Sequence, residues 1–126
     1  MKAILRQVRI SSKKANLIAT LVRRKNVQEA LDILTYTTKK GAKILRKVIY
    51  SAAKNAENNN KQDFETLKIK EIIVTEGATY KRSVPVSRGR SNPILKRTAH
   101  ITVKVEAGEA KKKAKTKKEP AIKNNI

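Results

Sequence analysis

The sequence predicts an α/β protein of the α+β type, with three helices packed on a small antiparallel sheet of about three strands. Apolar residues recur with a helical period through 12–57, and they alternate with polar residues on both sides of an acid-free segment at 80–98. The length of 126 residues suits one domain with a single modest core. We therefore expect one globular domain at 1–106, including an extended β-hairpin at 78–99, followed by a Lys-rich, disordered tail at 107–126.

The first predicted helix begins after Ser11, a residue suited to the N-cap, and extends to about Arg24. Its apolar residues form one wide arc, which consists of Ala15, Leu17, Ile18, Ala19, Leu21 and Val22. Lys13, Arg23 and Arg24 lie on the opposite side of the helix. This basic side is either an ordinary solvated face or a phosphate-binding one, and the basic composition of the chain favours the second.

Two further helices follow. The second begins at Asn26, because Glu29 stands three residues later in the manner of a capping box, and its apolar pattern fades near Tyr36. The third and longest extends from about Lys39 to Glu57. Its apolar stripe consists of Ala42, Leu45, Ile49, Ala52, Ala53 and Ala56. We expect the three asparagines at 58–60 to end it.

The period then changes from 3.6 residues to two, which indicates strands. One strand is predicted at Leu67–Thr75, where Glu71 breaks the alternation and indicates a bulge. Another follows at 99–106, and the two are expected to pair in antiparallel fashion because they flank the acid-free segment. A weaker candidate at Ala3–Ile10 adds a third strand.

The segment 80–98 contains six basic residues and no acid, with prolines, serines and a glycine at its centre. It is predicted to extend the hairpin formed by its flanking strands. About ten residues per arm at roughly 3.3 Å each give an arm of about 30 Å. A two-stranded ribbon is marginally stable on its own, so we expect this arm to become rigid only when a partner binds it.

The charge of the chain indicates that this partner is a nucleic acid. The 31 Lys and Arg residues outnumber the 10 Asp and Glu residues, and the net charge is +21. Basic residues placed against phosphates release condensed counterions and therefore bind without reading the base sequence. Membrane binding is disfavoured because the chain has no Trp, a single Phe and no apolar run of about 20 residues. The absence of cysteine and of a signal-peptide pattern favours a cytoplasmic protein.

No enzyme chemistry is predicted. The only histidine, His100, has no second histidine or cysteine with which to form a metal site, and Ser11 and Ser12 have no adjacent base. The carboxylates are scattered along the chain. We expect no catalytic residue, no metal and no cofactor. A free architectural DNA-binding protein is the alternative interpretation, and a metal-dependent nuclease is the enzyme hypothesis.

Three stretches carry a resemblance to a known family: ALDILTYTTKKGA, SAAKNAENN and GRSNPILKRTAHITV. Together with the element order over about 6–106, they closely resemble bacterial large-subunit ribosomal protein L twenty-two. The resemblance implies a structural role in the large subunit, binding to its ribosomal RNA and a contribution to assembly. It also implies a hairpin that lines the peptide exit tunnel beside the nascent peptide and the loop of ribosomal protein L four. Neither a homo-oligomer nor a membrane partner is expected.

The resemblance and the charge pattern together identify the candidate site residues. Residues expected to bind RNA are Arg9, Lys13, Lys14, Arg23, Arg24, Lys25, Lys81, Arg82, Arg88, Arg90, Lys96, Arg97 and His100. The tip expected to line the tunnel consists of Pro85, Val86, Ser87, Arg88, Gly89, Arg90 and Ser91.

Overall fold

The computed structural model describes residues 1–108, which form eight main elements. In chain order these are β1 (Lys2–Val8), α1 (Ser12–Val22), α2 (Val27–Tyr36), α3 (Lys40–Asn60), β2 (Leu67–Glu76), β3 (Tyr80–Pro85), β4 (Ser91–Lys96) and β5 (Ala99–Ala107). Short 3-10 turns precede β2 at Phe64–Thr66 and form part of the β3–β4 turn at Ser87–Gly89. The predicted tail lies outside the described residues, apart from Ala107 and Gly108.

The three predicted body strands are all present and form one antiparallel sheet in the order β1-β5-β2. β5 is the central strand, so the strand predicted at the start of the chain occupies one edge. The pairing passes from Ile69 opposite Val105 to Glu71 opposite Lys104, which leaves Lys70 as an extra residue. The bulge predicted from the broken alternation at Glu71 is therefore confirmed.

The helices cover one face of this sheet, and α3 supplies most of the helical core. All six residues of its predicted apolar stripe are fully buried. They pack against the inward residues of the sheet, among them Leu67, Ile69, Ile101, Val103 and Val105. Gly41 allows α3 to approach α1, because a Cβ atom there would lie 2.6 Å from Ile18 Cδ1 and 2.9 Å from Ile10 Cδ1. None of the helices within residues 1–108 is long and apolar enough to cross a membrane.

The apolar arc predicted for the first helix is too wide. Leu17 and Leu21 are 73% and 50% exposed, and the buried stripe consists only of Ala15, Ile18, Ala19 and Val22. The helix also ends at Val22, two residues earlier than predicted. Because α1 packs on the body with one narrow side, leucines at the margin of the arc remain in solvent.

The predicted capping interactions are absent, although Ser11 and Asn26 do occupy the N-cap positions. Neither side chain makes a capping hydrogen bond. The carboxylate of Glu29 instead accepts a hydrogen bond from Lys25 Nζ at 2.6 Å, so the capping box is replaced by an ion pair. The third helix includes the asparagines at 58–60 and ends where Lys61 adopts a left-handed conformation with φ 49°.

The hairpin continues from the sheet as predicted, but as a separate two-stranded ladder. β3 pairs with β4 from Tyr80 opposite Lys96 to Pro85 opposite Ser91, and every residue of both strands is exposed. Thr98 joins this ladder to the body. Its hydroxyl donates a hydrogen bond to the Ala78 carbonyl at 2.6 Å, and its own carbonyl accepts one from the Gly77 N–H at 2.9 Å. Thr98 is the only buried polar or charged residue within 1–108.

Thr98→Val is therefore expected to destabilise the protein by about 0.5 to 1.5 kcal/mol, because the hydrogen bond to the Ala78 carbonyl is lost while the volume of the side chain is kept. Urea unfolding monitored by circular dichroism measures this change. Thr102→Val is the matched control, since Thr102 lies nearby in β5 and its hydroxyl makes no hydrogen bond within the described residues. Equal effects of the two substitutions would contradict the prediction.

Candidate nucleic-acid interface

Four acidic residues of the body, within 1–108, are held in ion pairs with lysines. Lys25 pairs with Glu29, Lys54 with Glu57, Lys70 with Glu106, and Lys104 with Glu71. The hydrogen bond to the Glu57 carboxylate raises the pKa of Lys54 above its usual value, against a smaller opposing effect of desolvation. The cations in these pairs are partly neutralised, so they attract a polyanion less strongly than the unpaired ones do.

Cations that make no ion pair within residues 1–108 meet where the hairpin joins the body. They surround an open concavity of about 540 Å³, which we call the junction cleft. The cleft is lined by Arg9, Ile10, Ser11, Lys14, Lys40, Leu95, Lys96, Arg97 and Thr98. Five of these residues are cationic and none is acidic. Two walls face each other across the cleft, one formed by the body and the other by the base of the hairpin arm.

The arms of the hairpin present basic residues on both of its faces. Because directly paired residues share a face, Arg82 lies with Tyr80 and Lys96 on one side, while Lys81 lies with Leu95 on the other. No acidic residue occurs between Tyr80 and Thr98. The arms therefore suit an RNA environment that surrounds them.

The tip is a tight turn that extends from Val86 to Arg90. The Val86 N–H donates a hydrogen bond to the Arg90 carbonyl at 2.8 Å. Arg88 and Gly89 both adopt left-handed conformations, with φ 61° and φ 69°. A Cβ atom at Gly89 would meet nothing within 4 Å, so the backbone conformation and not a shortage of space favours glycine there. Both arginines of the turn are fully available to a partner.

A family model described as Ribosomal protein L22p/L17e matches residues 3–106, which include the helices, the hairpin and nearly all of the sheet. The chain belongs to this family. The family resemblance predicted from the sequence is therefore confirmed. Members of the L22p/L17e family are structural proteins of the large ribosomal subunit and not enzymes. The chain accordingly binds ribosomal RNA, has large-subunit ribosomal proteins as partners, acts in translation and is located in the cytoplasm with the ribosome.

Within this member of the L22p/L17e family, the structure brings four predicted RNA-binding residues together in the junction cleft: Arg9, Lys14, Lys96 and Arg97. It adds Lys40, which the sequence interpretation did not single out. Lys40 is the first residue of α3, so it lies at the positive end of that helix dipole. The sequence feature that could have identified Lys40 is the pair of lysines at 39–40, because no acidic residue follows this pair until Glu57.

Lys13, Arg23, Arg24 and Lys25 do not line the junction cleft. Arg23 is engaged with the body, since its guanidinium donates hydrogen bonds to Asn16 Oδ1 at 2.6 Å and to the Ile72 carbonyl at 3.2 Å. Arg24 adopts a left-handed conformation in the turn after α1, with φ 62°. Lys25 is held by Glu29. These residues stay predictions as RNA contacts, and two of them have structural partners that RNA would compete with.

His100 lies on the outward face of the sheet, as its place in the alternation indicated, and is half-buried there. Its Nδ1 accepts a hydrogen bond from the Gln7 backbone N–H at 3.0 Å. An accepting Nδ1 places the proton of the neutral ring on Nε2, which can then donate to a phosphate or a hydroxyl. Within residues 1–108, no group of three or more His, Asp or Glu side chains is arranged to hold a metal ion.

Proposed function

We propose that the junction cleft and the two hairpin arms form one continuous binding surface for large-subunit ribosomal RNA. The observation that carries this proposal is the convergence of five cations from two walls without a carboxylate between them. Arg9, Lys14 and Lys40 lie on the body, whereas Lys96 and Arg97 lie on the arm. An RNA backbone bound between these walls would be neutralised from both sides and would hold the arm at a fixed angle to the body.

The hairpin then extends from the body and places its tip in the peptide exit tunnel. Its exposed arms have no core of their own, so RNA packed around them supplies the rigidity that an isolated ribbon lacks. At the tip, 85–91, Arg88 and Arg90 lie beside the nascent peptide and face the loop of ribosomal protein L four across the tunnel. Binding of the arms to RNA that is distant in sequence also favours early assembly of the subunit. The role of the chain is binding and placement, without catalysis.

Site-specific photo-crosslinking tests the placement of the tip. A benzophenone amino acid at Ser87 is expected to crosslink to a stalled nascent peptide in purified ribosomes, whereas the same group at the exposed Tyr36 of the body is not. In parallel, sucrose-gradient sedimentation should show most of the protein with large subunits. A crosslink from Ser87 to RNA alone would overturn the tunnel placement, and a large free pool bound to DNA would favour the architectural alternative.

Deletion of residues 81–83 is expected to change the response of ribosomes to macrolides, as the resemblance to the family implies for this part of the hairpin, while the body remains folded. The deletion shortens one arm by about 10 Å and so withdraws the tip from its position. It removes only exposed residues, so the melting temperature of the purified protein should stay within about 2 °C of the parent value. A markedly lower melting temperature would show that the hairpin stabilises the body.

A further inference from the structure

The two edges of the body sheet differ in a way that RNA binding does not explain. The outer edge of β2 is covered by the turn between α1 and α2. The Ile69 N–H donates to the Lys25 carbonyl at 3.0 Å, and Arg23 donates to the Ile72 carbonyl at 3.2 Å. The outer edge of β1 has no such cover within the described residues, because β1 pairs only with β5. An uncovered edge strand presents unpaired N–H and C=O groups that can bind another strand.

The groups on this free edge can be identified from the ladder. Met1 and Val105 exchange hydrogen bonds in both directions, at 2.8 Å and 2.9 Å. Because hydrogen-bonded and non-hydrogen-bonded pairs alternate in an antiparallel ladder, Ala3 and Leu5 also bond to β5. The backbone groups of Lys2 and Ile4 therefore point away from the sheet. They lie two residues apart, which is the spacing that an added strand requires.

An apolar groove runs beside this edge, between β1 and α3. Its volume is about 350 Å³, and it is lined by Ala3, Ile4, Leu5, Val8, Ile44, Lys47, Val48 and Ser51. Ile4 and Leu5 are 48% and 36% exposed, so the groove is open to solvent. A strand added to β1 would direct every second side chain into the groove and the others onto the outer face of the sheet.

The charges around the edge decide which occupant fits. Lys2 and Arg6 lie on the outer face of β1, and Lys47 lies at the groove. No acidic residue occurs in 1–28 or in 40–56, the parts of the chain that form the two walls. Opposite charges directly across a strand pair stabilise it. The occupant should therefore place acidic side chains opposite Lys2 and Arg6.

Two occupants from this chain are disfavoured by the same charges. A second copy paired symmetrically about Ile4 would place Lys2 opposite Arg6, and like charges directly across a strand pair destabilise it. The segment from Glu109 onward carries seven lysines against two glutamates, so it is repelled as well. RNA has no side chains suited to an apolar groove, and its phosphates cannot donate hydrogen bonds to the strand carbonyls.

We propose that β1 accepts, by strand addition, an extended segment of another protein that alternates apolar with acidic side chains. The apolar residues enter the groove beside Leu5 and Val48, while the acidic residues face Lys2 and Arg6. Main-chain hydrogen bonds to Lys2 and Ile4 supply the remaining contacts. This surface is separate from the junction cleft and the hairpin, so the proposal does not depend on how they bind RNA.

A capped heptapeptide that alternates valine with glutamate is the probe. Added to the isotopically labelled full chain at physiological salt, it should cause saturable NMR shifts at Lys2, Ile4 and Ser51. Ile4→Pro removes the outward N–H without removing a bond to β5, and it should lower the affinity at least tenfold. Shifts concentrated on the hairpin, or equal binding by the Pro variant with a folded spectrum, would overturn the proposal.

Charge reversal keeps the test decisive if the proline variant does not fold. Arg6→Glu should weaken binding of the glutamate peptide about tenfold and strengthen binding of a peptide with lysine in place of glutamate. Lys81→Glu makes the same change of charge on the hairpin and should alter neither. Equal effects of the two substitutions would mean that the peptide binds through general attraction to a chain of net charge +21, and they would overturn the proposal.

The other occupants give distinct results in companion measurements. Dimerisation of the full chain that is lost in the Ile4→Pro variant would replace the proposed partner with a second copy. Tighter peptide binding after truncation at Gly108 would show that the chain's own final segment occupies the groove. In large subunits, a benzophenone amino acid at Leu5 should crosslink to an acidic, extended segment of a protein, and a crosslink to RNA would overturn the proposal. RNA affinity of each variant, measured separately, shows whether the junction cleft is intact.

Discussion

Replacing Lys40, Lys96 and Arg97 together by glutamine is expected to lower the affinity for large-subunit ribosomal RNA about a hundredfold. The three side chains lie on both walls of the junction cleft, so the variant removes positive charge from the body and from the arm at once. If each charge-assisted contact is worth about 1 kcal/mol at moderate salt, three contacts give roughly 3 kcal/mol. Filter binding to deproteinised ribosomal RNA at several salt concentrations measures both the affinity and its salt dependence.

The matched control replaces Lys54, Lys70 and Lys104 by glutamine. It changes the net charge by the same amount, but each of these lysines is already paired with a glutamate on the body. The cleft variant should reduce the slope of log affinity against log salt by about three, because each lost phosphate contact reduces it by about one. The control should change the slope by less than about one. Similar losses in both variants would mean that total charge, and not the cleft, governs binding.

The sheet and the hairpin were predictable because their signals are local. Alternation at 99–105 defines an inward face of one strand. In the strand at 67–75, the bulge is visible in the sequence because Glu71 breaks the alternation. The width of a buried helix face is a different kind of quantity. Leu17 and Leu21 belong to the apolar arc of α1, yet they are exposed because no other element of residues 1–108 extends over that side of the helix. Periodicity records which residues are apolar, whereas burial depends on what packs against them.

The junction cleft could not be derived from the sequence for a similar reason. Its cations come from the β1–α1 connection, from α1, from the first turn of α3 and from the base of β4, and only the topology makes these segments neighbours. The charge pattern therefore identified Arg9, Lys14, Lys96 and Arg97 singly and passed over Lys40. It also could not separate free cations from engaged ones. Arg23, predicted to bind RNA, donates hydrogen bonds to Asn16 and Ile72.

Ile49→Ala is expected to destabilise the protein by about 2 to 5 kcal/mol, a large fraction of the roughly 5 to 15 kcal/mol that stabilises a typical domain. Ile49 is fully buried in the middle of α3, within the core cluster that joins the helices to the sheet. Truncation there removes contacts on every side, and a close-packed interior refills such a cavity only in part. Urea unfolding should show a lower midpoint with an unchanged slope.

Ile73→Ala is the matched control, because Ile73 lies on the outward face of β2 and is 41% exposed. It should cost less than about 1 kcal/mol, since the atoms that this truncation removes bury little apolar surface.

The RNA affinity of the Ile49→Ala variant separates the stability of the body from its binding to RNA. Among the described residues, the arm joins the core through β2, β5 and the hydrogen bonds of Thr98. Ile49→Ala should therefore reduce the fraction of folded, binding-competent protein, while each folded molecule binds RNA as the parent does. If fully folded Ile49→Ala protein bound RNA more weakly than the parent, the core would also set the angle of the arm over the junction cleft.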